Sequence, residues 1–94
     1  MEIKLSSRVS VPESVLFREL GEESVLLNLD SERYFGLDDV GTRMFAVMSN
    51  APSLRAACET LSAEYDAPLE TIQHDLTELV DKLVARGLLA LEDC

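Results

Sequence analysis

Tryptophan is absent from this chain and aromatic residues are only 5% of it, although hydrophobic residues reach 47%. Its core therefore has to be filled by aliphatic side chains. Cysteine is scarce too, with Cys58 and Cys94 alone. Secreted domains stapled by disulfides carry more cysteines at closer spacing, so both are expected to be free thiols in a reducing compartment. The opening from Met1 to Val15 has no apolar run of signal-peptide length. No segment approaches the roughly 18 apolar residues of a membrane span. The expected location is the cytoplasm, with no membrane contact.

Positive charge is the next shortage. Lys and Arg number 8 against 18 Asp and Glu, for a formal net charge of −10. Phosphate binding needs clustered Lys and Arg, and an anionic bilayer attracts cations. Nucleic acid and membrane are therefore both disfavoured as partners. The acids are spread along the chain rather than gathered in a tail, which is the pattern of a solvated face.

Chemistry is equally hard to find. His74 is the sole histidine. It adjoins Asp75, but adjacent helical residues point about 100° apart, and no Ser or Cys nucleophile stands in a recognisable motif. One histidine and two distant cysteines do not make a metal site. The pairs Glu22-Glu23 and Asp38-Asp39 suit a turn and a helix start. No glycine-rich phosphate loop occurs. Leu29-Asp30-Ser31 faintly resembles the Asp-Ser site of acyl carrier proteins, but those are all-helical and this Ser falls between two strands. The expectation is a protein without catalysis, cofactor or metal.

What is present is a change of period. Val15–Leu20, Ser24–Leu29 and Arg33–Leu37 are short runs of strand formers separated by Gly21-Glu22-Glu23 and Asp30-Ser31-Glu32, which predicts antiparallel hairpins. Val25, Leu27 and Leu29 are expected on one face, with Phe35 and Leu37 beside them. Arg8–Val11, stopped by Pro12, adds a candidate edge strand. Beyond Leu37 the period becomes helical. Asp38 or Asp39 caps a helix carrying Val40, Met44, Val47 and Met48. Ser53 caps a second with Leu54, Ala57, Cys58, Leu61 and Tyr65 in one stripe. A third carries Leu69, Ile72, Leu76, Leu79, Val80, Leu83 and Val84, and Gly87 fits the left-handed residue past its end. Leu88–Leu91 suits a short closing strand or a packed tail. The 94 residues thus form one domain over 1–94, with strands in 8–37 and helices in 38–91, of the α+β class.

Two features bear on function. Gly36 lies inside a short strand, where glycine marks either a bulge or the close approach of another backbone. Lys82 and Arg86 share a helix face with Glu78 at four-residue spacing. That is the pattern of ordinary surface ion pairs, or of two bases reaching an acidic peptide across the helix.

Several of these runs together resemble the PqqD family. They are Val15–Leu20, Ser24–Asp30, Arg33–Asp38, Val40–Phe45, Glu64-Tyr65-Asp66, and Asp75-Leu76 followed by Leu79, Leu83 and Arg86–Leu89. The resemblance implies a winged helix-turn-helix-like fold, a three-stranded antiparallel sheet followed by three helices. It also implies a recognition element for ribosomally made, modified peptides (RiPPs), which holds a precursor's leader peptide for a separate modifying enzyme. That enzyme is a radical S-adenosylmethionine protein in the founding pathway, and a protease or other maturase in relatives. The peptide site expected on this chain has a strand wall of Arg33, Tyr34, Phe35, Gly36 and Leu37, and a helix wall of Asp75, Leu79, Lys82 and Arg86. Two rivals remain on the residues alone. A winged helix suits DNA, against the charge of a helix bearing Glu70, Asp75, Glu78 and Asp81. An exposed strand also suits pairing with a second copy, as a homodimer or scaffold.

Overall fold

Gly21 decides the first hairpin. In the computed structural model, which describes residues 3–92, strands β2 (Val15–Leu20) and β3 (Glu23–Asn28) pair antiparallel with Leu20 opposite Glu23. Only Gly21 and Glu22 remain for the turn, and Gly21 takes a φ of 72°. Two-residue hairpin turns need such a positive φ, which side chains with a Cβ resist. Strand β4 (Arg33–Leu37) returns along β3 and completes a sheet of order β2-β3-β4. Three helices follow: α1 (Asp39–Asn50), α2 (Leu54–Tyr65) and α3 (Leu69–Ala85). This is the expected α+β arrangement.

The chain ends depart from expectation. Strand β1 (Arg8–Ser10) does not extend the three-stranded sheet; it pairs antiparallel with β5 (Ala90–Glu92), placing Val9 opposite Leu91. The run Leu88–Leu91 is both things proposed for it: Leu88 and Leu89 are buried, and Ala90 starts the strand. Arg8 donates to the Glu92 carboxylate at 2.7 Å. Hydrogen bonds from Arg8 and then Ser10 hold that carboxyl below the usual glutamate range. The N-terminal segment is also pinned to α2, whose Leu54 and Arg55 N–H groups donate to the Ser7 and Leu5 carbonyls at 2.8 and 2.9 Å. These are orphan donors of a helix start, satisfied by backbone instead of a side chain. Cys94 lies outside the described residues.

Local chemistry sets the helix limits. Asp38, not Asp39, is the cap of α1: its carboxylate accepts from the Gly41 N–H at 2.7 Å. Ser53 caps α2 by accepting from the Ala56 N–H at 3.1 Å. Asp66 ends α2 in the left-handed region, and Gly87 beyond α3 takes a φ of 70°.

Leu26, Met48, Leu54, Leu61, Leu76, Val80 and Leu83 form the centre of the core, and Phe17 stacks on Phe45 with ring centroids 4.7 Å apart. The apolar stripes run less far than their spacing suggested. Val40, Tyr65 and Leu69 are exposed at helix ends, and Phe45 is buried instead of Val40.

The larger correction concerns β3. Its buried face is Ser24, Leu26 and Asn28, not Val25, Leu27 and Leu29, and Leu29 is 53% exposed in the following loop. A shift of one residue moves every side chain to the other face of a strand. Two polar residues sit inside because each is satisfied. The Ser24 and Thr42 hydroxyls share a buried hydrogen bond of 2.7 Å. Asn28 makes three. Its Oδ1 accepts from the N–H groups of Asp30 and Ser31, and its Nδ2 donates to the Gly87 carbonyl at 3.1 Å. Phe35 and Leu37 do face the core, opposite Leu26 and Ser24.

Asn28→Ala is expected to lower stability by about 1–3 kcal/mol, because it orphans partly buried donors and an acceptor together. Urea denaturation measures this, and a loss below about 0.5 kcal/mol would show that water replaces the amide without penalty.

Candidate functional site: a groove between the last sheet strand and the last helix

Strand β4 is an edge. It pairs with β3 on one side, and on the other no strand among the described residues joins it. Alternate residues of such a strand direct N–H and C=O groups outward, ready for another chain. Helix α3 runs beside this edge in the opposite sense. Its middle turns, Asp75 to Lys82, border Phe35–Leu37, and its C-terminal end lies near Arg33 and Tyr34.

Between them is an open groove of about 370 Å³. Phe35, Gly36 and Leu37 form its strand side, and Asp75, Leu79 and Lys82 its helix side. Six of the nine residues expected at the site therefore come together. The other three, Arg33, Tyr34 and Arg86, line an adjoining recess of about 300 Å³ with Glu32 and Leu88. A contact between the strand and the helix end lies where the two recesses meet: the Arg86 guanidinium is 5.1 Å from the Phe35 ring centroid. Cation–π attraction holds Arg86 there, and the same side chain donates to the Lys82 carbonyl at 3.2 Å.

Asp38, Gly41 and Glu78 also line the groove. Glu78 stands three positions after Asp75 and four before Lys82, so helical spacing alone places it on their face. Asp38 and Gly41 carry no such signal. They arrive by the turn from β4 into α1, where Asp38 is spent on the cap.

Gly36 forms no bulge. The register passes through it unbroken, with Val25 opposite, and a Cβ built there meets nothing within 4 Å. The space a side chain would take there, on the face of the sheet turned away from the core, is open. Gly41 is the reverse case, since a Cβ there would stand 3.1 Å from Asp38 Oδ1 and 3.3 Å from Leu37 Cδ2.

The expected Glu78–Lys82 surface pair is replaced by one between His74 Nε2 and Glu78 Oε2 at 3.0 Å, with the His74 side chain 75% exposed. Lys82 thus stays available to the groove. Ligand-type atoms of His74, Asp75 and Glu78 come within 4.8 Å of one another, but all three residues are exposed, and the His74–Glu78 hydrogen bond already explains their approach. Cys58 is fully buried, and burial first, then the charge of Glu59, pushes its thiol up. A thiol so placed is a poor nucleophile.

A larger recess of about 440 Å³ lies elsewhere, between the β2–β3 turn and helices α1 and α2. Its charged lining is four carboxylates, Glu19, Glu22, Asp39 and Glu64, against Arg43, which is committed to Glu64 by two hydrogen bonds of 2.8 and 2.6 Å. That bidentate bond holds the Glu64 carboxyl below its usual range. The smaller groove is the better candidate site, because it combines an open strand edge with an apolar floor of Phe35, Leu37 and Leu79.

These features define a class: a winged helix-turn-helix-like α+β domain with an open strand edge facing a helix. The family model of coenzyme PQQ synthesis protein D (PqqD) matches residues 23–89, from β3 through the end of α3. The chain belongs to the PqqD family. Among solved structures it is similar to TbiB1 in complex with the TbiA(beta) leader peptide. The TM-score is 0.79 and the identity 29%, over 85% of this chain and 93% of that one. No curated protein matches.

The two glycines predict opposite outcomes. Gly36→Ala should leave stability within about 0.5 kcal/mol of the parent. Gly41→Ala should lose about 1 kcal/mol despite alanine's better helix propensity, because the added methyl presses on the cap. Chemical denaturation of both decides. A destabilised Gly36→Ala would mean that the outer face of the sheet at Gly36 is already covered.

Proposed function

We propose that this protein captures the leader segment of a ribosomally made precursor peptide and holds it, extended, for a separate modifying enzyme. One observation carries the proposal: the open edge of β4 faces α3 across an apolar-floored groove. The family and the leader-bound structural neighbour support it. The leader adds to the sheet as a further strand, taking affinity from main-chain bonds to Arg33–Leu37 and selectivity from side-chain pockets. Phe35, Leu37 and Leu79 receive its apolar side chains. Asp75, Lys82, Arg33 and Arg86 meet its polar ones, and the exposed ring of Tyr34 lies beside its outward face. Gly36 leaves clearance for the incoming backbone.

The protein itself makes and breaks no bond in the precursor. Its buried, raised-pKa thiol and its single exposed histidine are poor material for catalysis. The chemistry belongs to the partner, a radical S-adenosylmethionine protein, a protease or another maturase, acting in the cytoplasm where the precursor is made. A DNA-binding role is disfavoured by α3, which exposes Asp75, Glu78 and Asp81 where a recognition helix would meet phosphates.

Gly36→Pro removes a strand donor and fixes φ, so it should abolish binding of any leader peptide that the parent protein captures. Calorimetric titration measures this, with circular dichroism to verify that the variant is folded. A folded Gly36→Pro protein that binds like the parent places the peptide elsewhere. The purified protein should also leave the precursor's mass unchanged, and a mass shift without added enzyme overturns the non-catalytic role. Sedimentation with and without peptide separates capture from self-pairing, since a copy seated on β4 would be displaced.

A further inference from the structure

Charge along the proposed groove is graded. At the Leu37 end stand three carboxylates, Asp38, Asp75 and Glu78. Asp38 also caps α1 and Glu78 also bonds His74, which leaves Asp75 as the carboxylate with no such second role. Lys82 follows along the helix. At the other end Arg33 and Arg86 stand together, with Glu32 the one acid lining that recess. Arg86 keeps its charge on the Phe35 ring, because a cation–π contact offers no counter-anion. One face of α3 therefore passes from acid to base in steps of three and four residues.

The two ends are a definite distance apart. From position 75 to position 86, at about 1.5 Å rise per residue, is about 16 Å. An extended peptide covers that span in about five residues at about 3.3 Å each. Direction follows from the sheet. Both pairings within it are antiparallel, and antiparallel pairs are the commoner and slightly more stable kind. A peptide antiparallel to β4 enters at Leu37 and leaves at Arg33.

Resting on the leader-capture function, we infer that the groove selects an extended peptide segment with a fixed order of charge. A Lys or Arg lies toward its N-terminus, against Asp38 and Asp75. Apolar side chains follow, over Phe35 and Leu79. An Asp or Glu comes about four or six residues after the cation, the even spacings that keep both side chains on the face turned toward α3, against Arg33 and Arg86. The overall charge of −10 attracts any basic peptide. Only the local bases, Lys82 and then the pair of arginines, provide a reason to favour an acid, and they stand toward one end. The order of the charges, rather than their sum, is the recognition signal.

The test is selection from a displayed library of random peptides about twelve residues long, roughly twice what the groove spans. It uses the full chain at low salt, and Gly36→Pro serves as a counter-selection. Peptides retained by the parent and lost by Gly36→Pro should be enriched for a cation preceding an acid by about four or six positions. Asp75→Lys should erase the preference at the cation position alone. Arg86→Glu should erase it at the acid position alone, and Arg33→Glu should do the same without disturbing the Phe35 contact. Each variant should weaken a selected peptide about fivefold at low salt, as expected for a partly exposed charge pair. The difference should shrink as salt rises. Edge-dependent peptides with no charge order, or with the acid first, overturn this inference and leave leader capture standing. Failure to retain any edge-dependent peptide overturns both.

Discussion

The Asn28 side chain joins the two halves of the molecule. Its oxygen gathers the N–H groups of Asp30 and Ser31 into the turn between β3 and β4, while its nitrogen holds the Gly87 carbonyl just past α3. The β4 turn and the C-terminal end of α3 are thereby tied to one amide, which fixes how far apart strand and helix stand at that end of the groove. The Arg86–Phe35 contact adds a second brace close by. At the opposite end, the Ser24–Thr42 bond and the Asp38 cap fix the start of α1 against the sheet. The groove is held by polar contacts at its ends, buried at Ser24–Thr42 and part-buried at Asn28 and Asp38.

Those same polar contacts limited what could be seen in the sequence. Helices were legible because an apolar residue every three or four positions is a strong signal, and because Ser53, Asp38 and Gly87 mark ends by local chemistry. The three sheet strands were legible from their turns. The inward face of β3 was not. Val25, Leu27 and Leu29 outscore Ser24, Leu26 and Asn28 in hydrophobicity, yet the latter set is inside. Alternation assumes that burial excludes polar groups, whereas burial excludes only unsatisfied ones. Partners as distant in sequence as Thr42 and Gly87 supply the satisfaction, and no local window contains them. The pairing of β1 with β5 was hidden for the same reason, being a contact between opposite ends of the chain.

The candidate site was more legible than the sheet's facing. A strand wall is contiguous in sequence, so Arg33–Leu37 could be named as soon as β4 was recognised as the last strand. The helix wall follows from spacing, since Asp75, Leu79, Lys82 and Arg86 recur by four or three. What spacing missed was the contribution of the α1 start. Asp38 and Gly41 enter the groove only through the sharp turn after Leu37, whose tightness depends on glycine at 41.

An open strand edge is ordinarily a hazard, which proteins blunt with charge, twist or cover. Strand β4 carries a charge only at Arg33, and its neighbour α3 stands off far enough to leave a groove instead of covering it. The outer face of the sheet adds to the exposure, with Leu16, Leu27 and Tyr34 aligned across the three strands and Tyr34 75% exposed. The net charge of −10 offers a general protection, because identical acidic chains repel one another. That repulsion acts on a second copy but not on a peptide of mixed charge. An acidic body around an unpaired edge therefore discriminates before any pocket is engaged: it discourages self-pairing through the strand while leaving the strand available to a different chain.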